Sequence, residues 1–166
     1  MKNLINLKEI RNKIITKNNL YCFCIISIIF FLDRYTKLLI LNNFTEDTYY
    51  LNDYLNFDLV WNTGVGFGLF ATNSSVIYNL ITFLIGFIIL ALIYMTISFK
   101  NLDKFIFSII IGGALGNFYD RLNLNAVPDF IDLHYNEFHW FTFNIADIFI
   151  TLGIIIFITR GTFEKN

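Results

Sequence analysis

SVIYNLITFLIGFIILALIYMTISF, residues Ser75 to Phe99, carries no charged side chain and no proline. A helix of about 20 apolar residues crosses the hydrocarbon core of a bilayer, so this stretch predicts a membrane span at about 75–99. Three more runs of similar character lie at about 20–41, 105–122 and 141–159. The rest of the composition agrees. The 166 residues are 56% hydrophobic and 15% charged, with 20 Phe and 9 Tyr. A soluble domain of this length cannot bury so much apolar surface. The first run is too long for a signal peptide and lacks a small-residue cleavage site.

The basic residues orient the spans. Lys2, Lys8, Arg11, Lys13 and Lys17 precede the first run, Lys100 and Lys104 separate the second and third, and Arg160 and Lys165 follow the fourth. With four spans all of these fall on one side. The positive-inside rule makes that side cytoplasmic, together with both termini. Glu9, Asp103 and Glu164 lie there too, while the other acids lie outside or at the outer ends of spans. The remaining cations, Arg34, Lys37 and Arg121, each sit beside a carboxylate at the outer end of a span.

Two outside segments follow, at about 42–74 and 123–140. In the first, Leu55, Phe57, Leu59 and Trp61 alternate with Tyr54, Asn56, Asp58 and Val60, the period of a half-buried strand. The glycines of Asn62-Thr63-Gly64-Val65-Gly66-Phe67-Gly68 permit tight turns. The second holds the only proline, Pro128. Trp61, Trp140 and Phe141 suit an interfacial aromatic belt. The expectation is an all-α membrane protein of four transmembrane helices, with a small extracytoplasmic β-sheet on the outer membrane surface. Residues 1–166 form one integral membrane domain without repeats.

Ionisable groups in a span are costly and face a partner or a functional cavity. Asp33 and Lys37, four apart, share a helix face and can pair. They form either a structural ion pair with Lys37 snorkelling outward or a polar wall of a site. Gly112 and Gly116 permit close helix packing, and Asn117, Asp120 and Arg121 continue that helix as a polar stripe. Asp129 lies just beyond the third span, stiffened by Pro128. Asp147 lies in the fourth, about six residues from its start and roughly 9 Å deep. Asn144, Asp147 and Thr151 fall on one stripe. Asp147 has no cation on its own helix, so its partner must come from elsewhere.

Several residues read as structural. Cys22 and Cys24 are two apart, neither a zinc nor a redox pattern, and are read as packing residues. Asp132 is read as a solvated or interfacial carboxylate. His134 and His139 lack the spacing that stacks two imidazoles on a helix face and are read as solvated loop residues. No P-loop, dinucleotide fingerprint or Ser-His-Asp order is present. No metal, no cofactor and no nucleic-acid partner is expected.

Two carboxylates close together in a partly dry site cannot both ionise easily, and one stays protonated. Such a pair hydrolyses a peptide bond without metal or covalent intermediate, so chelators are expected not to inhibit. Asp129 and Asp147 meet if the third and fourth spans are adjacent. A proton-coupled four-span transporter also uses a membrane carboxylate, but one expected near the midplane.

The ordered set Asp33-Arg34-Tyr35-Thr36-Lys37, Asn62-Thr63-Gly64-Val65-Gly66-Phe67, Gly112-Gly113-Ala114-Leu115-Gly116-Asn117-Phe118-Tyr119-Asp120-Arg121, Val127-Pro128-Asp129-Phe130-Ile131 and Phe143-Asn144-Ile145-Ala146-Asp147 resembles the lipoprotein signal peptidases, or signal peptidase II. The resemblance implies an aspartic endopeptidase of the bacterial inner membrane, acting at its outer face. It would remove signal peptides from diacylglyceryl-modified prolipoproteins, cutting before the lipidated cysteine. It places the catalytic pair on Asp129 and Asp147. Asn62, Asn117, Arg121 and Asn144 match positions that line the substrate and support the pair. Asp33, Lys37, Gly113, Asp120 and Ala146 match further motif positions. It also implies inhibition by globomycin, while the composition predicts membrane lipid as surroundings, and a monomer is expected. The glycine-rich Gly64–Gly68 run departs from the family's usual alanine- and serine-containing one, which predicts altered loop flexibility with activity retained.

Overall fold

The computed structural model describes residues 14–44, 48–99 and 102–163. Lys2, Lys8, Glu9, Arg11, Lys13, Lys100, Glu164 and Lys165, among the charges that orient the expected spans, lie outside the described residues. Four helices lie wholly within the described residues: α1 (Lys17–Asn43), α2 (Ser75–Ser98), α3 (Asp103–Leu124) and α4 (Ile145–Phe163). Four strands accompany them: β1 (Tyr49–Asn52), β2 (Leu55–Asn62), β3 (Val127–Tyr135) and β4 (Phe138–Phe143). The strands form one antiparallel sheet in the order β1-β2-β3-β4. The small sheet expected around 54–61 is present, and it is larger than expected because residues 127–143 supply two further strands.

α3 is the central helix and packs against α1, α2 and α4. Gly113 sits at its contact with α4, where an added Cβ would lie 2.5 Å from the Ala146 carbonyl oxygen. At Gly116 an added Cβ would collide with the Asp33 carboxylate. These two positions bring α1 and α4 close to α3 and let their polar groups meet. α3 ends on Asn125, whose left-handed φ of 57° terminates the helix. The chain then enters β3 after one residue.

The burial pattern is inverted relative to a soluble protein. Asp33, Lys37, Ser108, Asp120 and Asn144 are wholly buried, while Val76, Phe83 and Tyr94 on α2 are more than two-thirds exposed. Lipid is the solvent that suits such a surface. Among the described helices, α2 alone is long and apolar enough to span on composition, with a mean hydropathy of 2.7. The polar residues Asp33, Arg34 and Lys37 interrupt α1, and Asn117, Asp120 and Arg121 interrupt α3.

The sheet stands at the end of the bundle where α1 and α3 finish and α2 and α4 begin. Asn52 closes the β1–β2 hairpin, its side-chain oxygen accepting from the Tyr54 and Leu55 amides at 2.9 and 3.1 Å. A register shift between Phe57 and Val60 places an extra residue on β2 opposite β3. This bulge breaks the simple alternation of the strand. Asn56 and Asn62 are buried, while Trp61 stands half-exposed.

The fourth helix starts later than its apolar run suggests. Phe141, Thr142 and Phe143 belong to β4, and α4 begins at Ile145. Asp147 is consequently in the first helical turn, not about 9 Å inside a span. Aromatic residues satisfy both an apolar span and a strand, so hydropathy alone placed the boundary too early.

Candidate active site

The site begins with how α4 is capped. The Asn144 side-chain oxygen accepts from the Asp147 main-chain amide at 3.1 Å, and the Asp147 carboxylate accepts from the Asn144 amide at 3.1 Å. This reciprocal pair is a capping box. It fixes the Asp147 side chain at the mouth of the helix. The next free amide of that turn, on Ala146, donates to Asp33 at 3.0 Å. Ala146 thus contributes through its backbone, and Asp33 ties α1 to the start of α4.

Asn144 also reaches the other carboxylate. Its side-chain amide donates to Asp129 Oδ1 at 2.5 Å, while Asn62 donates to Asp129 Oδ2 at 2.8 Å. Asn62 simultaneously binds the glycine loop, accepting from Gly64 at 2.8 Å and donating to the Val65 carbonyl at 3.1 Å. Arg121 donates to the Gly64 carbonyl. An added Cβ at Gly64 would collide with the Leu69 carbonyl and lie 2.7 Å from the Ala71 amide. Glycine is required there because the loop folds back on itself. The loop closes in a short 3-10 turn at Gly66–Gly68, where Gly68 has φ 72°.

Asp147 takes its third contact from Asn117, which donates at 2.9 Å. Behind Asn117 stands Lys37, whose ammonium donates to Asn117 at 2.8 Å, Asp33 at 2.8 Å and Asp120 at 2.7 Å. Lys37 is wholly buried, so it does not snorkel outward. Its three hydrogens have three acceptors, which is what a buried ammonium requires. Arg34 completes the cluster, bonded to Asp120 and lying 4.7 Å above the Tyr119 ring.

Neutral amides hold the two carboxylates, and among the described residues no cation touches either one directly. Lys37 is occupied by Asp33, Asn117 and Asp120, and Arg121 by the loop carbonyl. Asp129 is therefore buried without direct neutralisation. Burial, followed by the charge of Asp147, pushes its pKa up to about 7, against the opposing hydrogen bonds from Asn62 and Asn144. Asp147 lines a mainly apolar cavity of about 670 Å³ between α2, α3 and α4. Asn117, Val65 and Gly66 line the same cavity, with Ile89 and Ile110 on its apolar walls. Such a groove suits an apolar segment whose reacting group lies at the polar end.

The sequence-derived residues thus converge. Asn62, Asn117, Arg121, Asn144, Asp33, Lys37, Asp120 and Ala146 fall in one network around Asp129 and Asp147, and Gly113 permits the helix contact that closes it. Tyr78 was missed. Its hydroxyl donates to the Arg121 carbonyl at 3.1 Å and its ring lies 5.8 Å from the guanidinium. A single tyrosine one turn into an apolar run gives no periodic signal.

Asp132, His134 and His139 require a correction. None of them lies in a loop, and only His139 is solvated. Asp132 and His134 are buried on β3, and His139 faces them from β4. The helix spacing used to separate the histidines does not apply to a hairpin.

A family model described as signal peptidase (SPase) II matches residues 25–163. The chain belongs to the signal peptidase II family. It is similar to the lipoprotein signal peptidase of Pelagibacter ubique (strain HTCC1062), with 50% identity over 93% of this chain and 95% of that one. The lipoprotein signal peptidase of Anaplasma phagocytophilum (strain HZ) is 40% identical over 69% of this chain and 73% of its own. A bacterial membrane enzyme solved by the in meso method at 2.3 Å resolution superposes with a TM-score of 0.73 at 27% identity, covering 88% of this chain and 90% of that one. This signal peptidase II chain is accordingly a membrane peptidase.

Proposed function

We propose that Asp129 and Asp147 are the catalytic pair of an aspartic endopeptidase acting on diacylglyceryl-modified prolipoproteins. As a signal peptidase II, the chain removes signal peptides from prolipoproteins. The observation that carries the catalytic assignment is the joint tethering of both carboxylates by Asn144 at the polar end of an apolar groove. In this reading the pair holds one proton between its members. The ionised carboxylate takes a proton from the attacking water, and the protonated one polarises the scissile carbonyl. The same carboxyl group then delivers its proton to the leaving nitrogen. The protons belong to the pair as a unit. Asn62, Asn117 and Asn144 position the carboxylates, and Arg121 holds the Gly64 loop over them. Lys37, Asp33 and Asp120 fix the floor.

The substrate's apolar signal helix would lie in the groove between α2, α3 and α4, with the bond before the lipidated cysteine at the aspartates. Residues 1–166 act as one integral domain of the bacterial inner membrane, with four spans and both termini cytoplasmic. The sheet lies on the outer face. The functional unit is a monomer surrounded by lipid, and globomycin competes for the groove. No observation favours a proton-coupled transporter, because the carboxylates gather at one end of the bundle.

The test is cleavage by the purified full chain in detergent. The expected result is a single cut before the cysteine of a diacylglyceryl-modified prolipoprotein, blocked by globomycin. The unmodified precursor should be cut far more slowly. Equal cleavage of both precursors would contradict the proposed lipid requirement.

A further inference from the structure

The β3–β4 hairpin carries a cluster that the peptidase chemistry does not use. Asp132 and His134 are two apart on β3 and therefore face the same side. His134 pairs across the strands with His139 of β4. A register shift in β4, between Phe141 and His139, sets that pairing. The two imidazole rings stack with centroids 5.3 Å apart. Asp132 Oδ2 lies 2.7 Å from His139 Nδ1 and 3.6 Å from His134 Nδ1. One ligand atom from each of the three side chains falls within 4.8 Å of the other two. Asp129 is three residues from Asp132 along β3, where the register shifts lie on the neighbouring strands, so the cluster faces away from the aspartate pair.

A second observation concerns His134. It is only 6% exposed, and its Nδ1 has no hydrogen-bond partner among the described residues. A buried imidazole nitrogen 3.6 Å from a carboxylate oxygen, just beyond hydrogen-bond reach, is under-satisfied. Two imidazoles and a carboxylate form a donor set suited to zinc and similar divalent transition ions. Ligands about 2.0–2.2 Å from such an ion are separated by roughly 3.3 Å in tetrahedral geometry. The 3.6 Å gap is already near that value. The closer His139 contact has only to open slightly, and its side chain, 57% exposed, is free to do so.

We infer that Asp132, His134 and His139 form a divalent metal site that clamps the β3–β4 hairpin on the outer sheet. The ion is held by three protein ligands, with water completing its shell at the exposed His139 side. The site revises the expectation of no metal, but leaves the hydrolytic chemistry to the aspartates. Its consequence is mechanical, since β3 carries Asp129 near its start and β4 leads directly into Asn144.

The probe is zinc added to the tag-free full chain in detergent after chelator treatment, followed by calorimetric titration. One equivalent should bind saturably. The affinity should fall at least tenfold in His139→Ala and in Asp132→Asn. Zinc should raise the thermal midpoint of the parent chain and leave that of His139→Ala unchanged. With copper(II) as probe, the parent chain should show nitrogen coupling in its paramagnetic resonance spectrum that weakens in His139→Ala. His139 is exposed, so its replacement tests the site without removing a buried packing group. Absence of saturable binding, or equal affinity in His139→Ala and the parent, would overturn the inference.

Discussion

Asn144 and Asp147 cap each other at the start of α4, and the same Asn144 side chain also holds Asp129 at 2.5 Å. One asparagine thereby sets the positions of both carboxylates. A helix cap is a local, sequence-near device, whereas Asp129 comes from a strand in another part of the fold. Coupling the two makes the geometry of the pair depend on where the helix begins.

Replacing Asn144 with Ala should therefore affect stability and cleavage together. Loss of the cap costs about 1 kcal/mol. Misplacing the carboxylates should lower kcat on the order of 100-fold. Thermal unfolding in detergent and initial cleavage rates check the two effects separately. A normal kcat in Asn144→Ala would show that the cap does not position the pair.

Lys37 should be the most sensitive structural residue. In Lys37→Met, Asp33 and Asp120 lose their shared cation while remaining buried, a change that typically costs about 3–5 kcal/mol. Adding Asp33→Asn and Asp120→Asn to Lys37→Met should restore part of the loss. Chemical denaturation of the three forms would show the order. A Lys37→Met protein as stable as the parent would mean that the cluster is solvated.

The raised pKa of Asp129 has a definite sign. Its folded value of about 7 lies above the unfolded value of 3.8. Its contribution is therefore fully favourable below about pH 3.8, and stability is lost as pH rises through about 7. The total span is about 4 kcal/mol. Asp129→Asn should flatten the thermal midpoint across pH 5–8 and raise it at pH 8. A parent midpoint independent of pH in that window would contradict the burial argument.

Gly116 and Gly66 provide a matched pair. A Cβ at Gly116 would strike Asp33, whereas one at Gly66 meets nothing within 4 Å. Gly116→Ala should destabilise by about 1–3 kcal/mol, and Gly66→Ala should leave the midpoint within experimental error. Comparable midpoints for the two variants would remove the steric role assigned to Gly116.

Much of this arrangement was legible in the sequence because lipid makes polar residues conspicuous. Asp33, Lys37, Asn117, Arg121 and Asp147 stand out in runs that are otherwise apolar. Their partners were less visible. Lys37 is reached by Asp120 and Asn117 from another helix, a pairing that spacing along α1 cannot reveal. The start of α4 was misplaced because Phe141 and Phe143 fit a strand and a span equally well. The hairpin that joins His134 to His139 leaves no mark in helical spacing, because the two residues face each other across two strands. Tyr78 gave no signal, since its role lies in one hydroxyl contact to a main-chain carbonyl.

The most direct measurement is cleavage of a diacylglyceryl-modified prolipoprotein by Asp129→Asn and Asp147→Asn, each purified in detergent and shown to be folded by thermal unfolding. The account predicts that either substitution abolishes cleavage while the protein stays folded. Cleavage at the parent rate by either folded variant would contradict it.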